Sequence, residues 1–125
     1  MSLAVSIRET RGVNVLDVVG RITLGDGAST LRDTLHTSAR GGNKKILLNL
    51  GEASSVDSSG LGVLVAGFAR ITSQGGQFKL LNLTNRIRDL LLITKLFTVF
   101  EVFDNEEAAI DSFLEVTSET SSDRA

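Results

Sequence analysis

Cysteine is absent from the chain, which rules out disulfides, thiolate nucleophiles and cysteine-based metal sites. Histidine occurs once, at His36, which leaves nothing for a histidine pair and little for metal chemistry. Proline is also missing, an unusual feature to which no functional meaning attaches. Nor is there an excess of one charge: Lys and Arg number 13, Asp and Glu 15, and they are mixed along the chain. A net charge of -2 in that distribution offers no electrostatic footprint for nucleic acid or for an anionic membrane. Long apolar runs are lacking as well. The longest stretch, Leu90 to Phe103, is interrupted by Thr94, Lys95, Thr98 and Glu101 and does not read as a bilayer span. Met1 to Asp17 carries acids and bases among short apolar steps, without the apolar core of a signal peptide. A soluble cytoplasmic domain is therefore expected.

What is present suits one domain. The 125 residues suffice for a single hydrophobic core, and 42% hydrophobic with 22% charged residues is globular rather than disordered composition. Leu3, Val5 and Ile7 alternate with Ala4, Ser6 and Arg8, the period of a half-buried strand. Thr10-Arg11-Gly12 reads as a turn into a second strand over Val13 to Val19, so a hairpin opens the fold. After a glycine-punctuated loop over Gly20 to Gly27, apolar residues from Leu24 through Ala28, Leu31, Leu35 and Ala39 recur at helical spacing and stop at Gly41-Gly42. Ile46-Leu47-Leu48-Asn49-Leu50 is nearly continuous in apolar residues and predicts a central strand buried on both faces.

A second helix is expected from about Asp57 to Ser73, with Leu61, Leu64, Val65, Phe68 and Ile71 along one stripe. Gln77 to Leu83 reads as the next strand, Asn85 to Leu92 as a short helix with Ile87, Leu90 and Leu91 inward, and Val99 to Phe103 as a further strand. The apolar residues between Leu90 and Phe100 allow two readings, an exposed partner-binding patch or core; their spacing suits packing inward and favours core. Asp104 with Glu107 three residues on resembles a capping box for a last helix that buries Ala109, Ile110, Phe113 and Leu114. The polar stretch over residues 116–125 is expected to be a flexible tail, leaving a domain over residues 1–115. The order β-β-α-β-α-β-α-β-α defines an α/β fold. Its sheet is mixed, with about five strands and about four helices: an antiparallel hairpin followed by parallel βα units.

Enzymatic motifs are largely excluded. There is no phosphate-binding Gly-x-x-x-x-Gly-Lys loop. Gly60-Leu61-Gly62 has Val65 where a dinucleotide fingerprint needs a third glycine, and Gly25-Asp26-Gly27 has Thr30 there. Ser58 and Ser59 do not stand in Gly-x-Ser-x-Gly, and His36, on a polar part of the first helix, reads as a solvated surface side chain rather than a base. A small hydrolase is thus disfavoured, and no catalytic residue, metal or cofactor is expected.

The segment left is Ser54-Ser55-Val56-Asp57-Ser58-Ser59-Gly60-Leu61-Gly62, between a buried strand and an amphipathic helix. One reading is purely structural: Asp57 or Ser58 caps the helix, and the glycines keep the turn compact. The other is functional. A hydroxyl in the first helical turn stands at the end of the sheet where α/β proteins commonly place sites, and Gly60 and Gly62 would clear the approach of a partner.

Lys45 to Leu50 followed by Val56-Asp57-Ser58-Ser59-Gly60-Leu61-Gly62 resembles the signature of the STAS family, which comprises bacterial anti-sigma-factor antagonists and the cytoplasmic domains of sulfate transporters. The resemblance in element order runs over roughly residues 3 to 115. With no transmembrane region in the sequence, the stand-alone antagonist is the nearer relative. The resemblance implies phosphorylation of Ser59, the hydroxyl residue before the first glycine, by a partner that is both anti-sigma factor and serine kinase of the GHKL type. It implies reactivation by a PP2C-type phosphatase, and a docking surface of Asp57, Ser58, Ser59, Gly60, Leu61 and Gly62. Family antagonists often carry an acid in a Gly-x-[Leu/Ile]-Asp pattern after the second strand. Here the run is Gly20-Arg21-Ile22-Thr23, so Thr23 and the nearby Asp26 are the candidates for that contact. Neither nucleic acid nor membrane is an expected partner, and a monomer or weak homodimer is expected. The alternative is a non-phosphorylated module of the same family, sensing a ligand or acting as a scaffold in a larger complex.

Overall fold

The structure is a computed structural model that describes residues 3–42 and 44–114. The predicted order of elements is observed: β1 (Ala4–Thr10), β2 (Val13–Ile22), α1 (Asp26–Arg40), β3 (Lys45–Val56), α2 (Ser58–Ser73), β4 (Gln77–Leu81), α3 (Asn85–Ile93), β5 (Glu101–Phe103), and a last helix, α4, over residues 106–114. The strands form one sheet in the order β1-β2-β3-β4-β5. The hairpin pair β1–β2 is antiparallel, and the remaining pairs are parallel. The expected tail over residues 116–125 lies outside the described residues.

The alternation along β3 explains the layering. Ile46, Leu48 and Leu50 point into a large apolar cluster with Leu31, Leu35, Leu64, Ile71 and Leu91, beneath α1, α2 and α3. Leu47 points the other way, into a smaller cluster with Val13, Val15, Leu81, Ile110 and Phe113 beneath α4. A strand covered on both faces has no polar side to present, which is why residues 46–50 read as an apolar run.

Several expectations need correction. β3 runs to Val56, well past Leu50, because its C-terminal half pairs with β2 alone, up to Ile22 opposite Val56. The strand predicted to reach Leu83 ends at Leu81, and the chain turns at Asn82 with φ 60°. The last strand begins at Glu101 rather than Val99. Ile7 is 52% exposed, since β1 is the sheet edge and the α1 residues beside it, Asp33, Thr34 and Thr37, leave a gap over it. The cap of α4 is Asn105, whose Oδ1 accepts the Ala108 N–H at 2.8 Å, in place of an Asp104–Glu107 box. Nor is the segment from Leu90 to Phe100 all core. Phe100 is buried against Phe68 and Phe78, while Ile93 is 77% exposed, because it stands off the Ile87–Leu91 stripe that faces the sheet.

Candidate functional site

The parallel pair β2–β3 ends with Ile22 beside Val56, so the loops that follow these strands emerge together. Asp57 joins them. It is the N-cap of α2, with extended backbone, and its Oδ1 accepts the Gly60 N–H at 3.0 Å. Its Oδ2 reaches across to accept the Leu24 N–H of the β2–α1 loop at 2.9 Å. The Asp57 N–H in turn donates to the Ile22 carbonyl. One carboxylate thus ties two loops and caps a helix. These backbone donors, Leu24 first and Gly60 second, hold its carboxyl below the usual carboxylate range.

Gly60 is buried against the end of β2, and a Cβ there would collide with the Ile22 carbonyl. The missing side chain is what allows this backbone contact. Gly27, the second residue of α1, is pressed against the Arg21 carbonyl in the same way. Both helices therefore start on the last residues of β2. At Gly62 the space around a Cβ is open, so this glycine leaves bare surface.

On that base, Ser58 is exposed and Ser59 half-buried, as first and second residues of α2. Among the described residues neither hydroxyl has a hydrogen-bond partner. Leu61 is buried and packs in the core. Thr23 is half-buried and its carbonyl accepts the Ala28 N–H, whereas Asp26 is exposed in the first turn of α1. Sequence reasoning missed Leu24. It stands four residues before Ala28, in phase with the inner face of α1, yet it is 80% exposed. Gly25 explains the difference: as N-cap with φ 99° it turns the chain before the helix begins and throws Leu24 outward. The structure thus brings Thr23, Leu24, Asp26, Asp57, Ser58 and Ser59 to one end of the sheet. His36 is elsewhere, in a groove between α1 and α2.

The STAS domain family model matches residues 4–109. The anti-sigma-B factor antagonist of Bacillus subtilis is 31% identical over 111 residues, covering 88% of this chain and 99% of that protein. Among solved structures, an anti-sigma factor antagonist from Mycobacterium paratuberculosis superposes with a TM-score of 0.80 at 20% identity, over 90% of this chain and 94% of that one. The Bacillus cell fate determinant SpoIIAA in its phosphorylated form does so with a TM-score of 0.69 at 24% identity, over 87% of this chain and 98% of that one. At these identities the two structures speak for the fold alone. The chain belongs to the STAS family and is related within it to the anti-sigma factor antagonists. Among the described residues, no helix is long and apolar enough to cross a membrane.

Proposed function

We propose that this protein is a phosphorylation-switched anti-sigma factor antagonist acting in the cytoplasm. Unphosphorylated, it captures an anti-sigma factor, itself a GHKL-type serine kinase, and so releases a sigma factor. The kinase phosphorylates Ser59 and ends the complex, and a PP2C-type phosphatase restores it. The observation that carries this reading is the placement of Ser59. It is the second residue of a 16-residue helix, on a turn braced by Asp57, with an unpartnered hydroxyl. Exposed Leu24 supplies an apolar anchor beside it, and exposed Asp26 the acid that Thr23 lacks. A solved SpoIIAA structure in phosphorylated form has the same fold, which fits a switch that leaves the fold in place.

The physics supports a switch by surface charge. A phosphate adds about -1.5 to -2 charges. At the N-terminus of α2, helix dipole and backbone N–H groups favour an anion, so the fold tolerates it. Against an acidic partner group about 7 Å away, repulsion is roughly 1–4 kcal/mol, which is about one to three decades of affinity.

The test is to incubate the protein with the GHKL-type kinase of the same organism and ATP, then map the phosphate by mass spectrometry. Phosphate on Ser59 is expected, with partner binding weakened ten- to thousandfold (order-of-magnitude range) in Ser59→Asp and kept in Ser59→Ala. Absence of phosphate with every such kinase, together with stable binding to another protein or a small molecule, would instead establish the non-phosphorylated sensor or scaffold, the reading that Thr23 favours.

A further inference from the structure

Away from the Ser59 end, α1 and α2 run side by side and enclose a groove of about 610 Å³. It exists because the helices meet at a small residue: a Cβ at Gly67 would come 2.8 Å from Leu35 Cδ1. Gly67 and neighbouring Ala66 leave the α2 side low, above the buried side chains of Leu35, Val63 and Ile71. The rim is basic. Arg32 and His36 come from α1 and Arg70 from α2, with Asp33 as the one carboxylate. Neither guanidinium group makes a hydrogen bond or ion pair with any described residue, Asp33 included, whereas those of Arg8 and Arg11 are both paired. In a chain of net charge -2, this is a local concentration of unused positive charge over an apolar trough.

We infer that the α1–α2 groove binds a small amphiphilic anion, its carboxylate or phosphate head held between Arg32 and Arg70 and its aliphatic body in the low stretch at Ala66 and Gly67. Guanidinium groups suit such heads because their paired N–H donors match two anionic oxygens. The volume falls in the range of small-molecule sites, about 300–1,000 Å³. No phenylalanine lines the groove, and the lining that is not charged or polar is aliphatic, which suits an aliphatic body. The inference is independent of Ser59, which lies outside the groove.

The experiment is a titration of the full-length chain with octyl phosphate, followed through backbone amide shifts by NMR, with inorganic phosphate and octanol as comparators. Saturable shifts are expected in residues 32–36 of α1 and from residue 63 of α2 to its C-cap Gln74, with inorganic phosphate and octanol each binding at least about tenfold more weakly. Arg32→Gln and Arg70→Gln should each weaken octyl phosphate binding about tenfold. Both side chains are exposed and glutamine keeps the helix, so amide dispersion serves as the folding control. Ala66→Leu, which fills the trough without touching charge, should abolish binding. Shifts outside the groove, binding indifferent to both arginines, or equal binding of inorganic phosphate would overturn the inference. So would a protein partner that depends on Arg32 and Arg70 while octyl phosphate leaves the groove unchanged.

Discussion

Where β2 ends, α1 and α2 begin on glycines pressed against its backbone, with Gly27 on Arg21 and Gly60 on Ile22, and the Asp57 carboxylate closes the junction with neutral N–H groups. On the opposite face α4 is held quite differently. Its apolar contact is the smaller cluster, and around it charged side chains do the fastening. Arg8 bridges Asp17 of β2 and Glu106 of α4, with N–O distances of 2.6 and 2.7 Å, and Arg11 reaches Asp111 at 2.7 Å. Lys79, only 2% exposed, donates to Ser112 Oγ at 2.8 Å and lies 4.6 Å from the centre of the Phe113 ring. The site end is thus rigid by steric contact, and the α4 face is held by groups that salt and acid can loosen.

Gly60→Ala should break this contrast most severely. A methyl group facing a backbone carbonyl has nowhere to go, so a loss of roughly 3 kcal/mol or more is expected in denaturant unfolding. A variant as stable as the parent would show that the α2–β2 contact is not tight. Lys79→Ala comes next, at about 2 kcal/mol, mostly from lost packing around the buried stem. Lys79→Met keeps the volume and should cost about 1 kcal/mol or less, because a well-packed apolar replacement offsets the lost polar contacts. Equal losses in the two variants would put the weight on the ammonium group instead.

Arg8→Ala should cost roughly 0.5–1 kcal/mol, since the bridge is solvent-screened. The bridge depresses the carboxyls of both Asp17 and Glu106, chiefly through their hydrogen bonds to Arg8. Depressed folded-state values mean that the stabilisation is complete above the unfolded values, about 4, and is lost as pH falls through the folded ones. The pH dependence of unfolding below pH 4 should accordingly flatten in the Arg8 variant. The smallest expected effect is that of salt. In 1 M NaCl, where the screening length is about 3 Å, amide exchange should quicken in residues 106–114 and stay unchanged at Leu24 and Gly60. Equal acceleration at both places would erase the distinction.

The site was legible in part for a physical reason. Asp57 as N-cap and the stripe through Leu61, Leu64 and Ile71 are local patterns, each complete within one turn or one helix. Leu24 followed a local pattern as well and misled, because the conformation of Gly25, not the spacing, decides which way it points. The second role of Asp57, as acceptor for the Leu24 N–H, joins residues 33 positions apart and has no local signature.

The amino-acid order by itself determined the succession of strands and helices, the two-sided burial of β3 and the family signature around Ser59, because periodicity, caps and turns act over a few residues. Tertiary structure alone decided that Gly60 is a packing surface, that Leu24 and Ile93 face outward, that Lys79 is buried under α4, and that Arg32 and Arg70 flank one groove. Each of these depends on which distant segments share a face of the sheet, and that follows from strand order and register, which only the folded chain establishes.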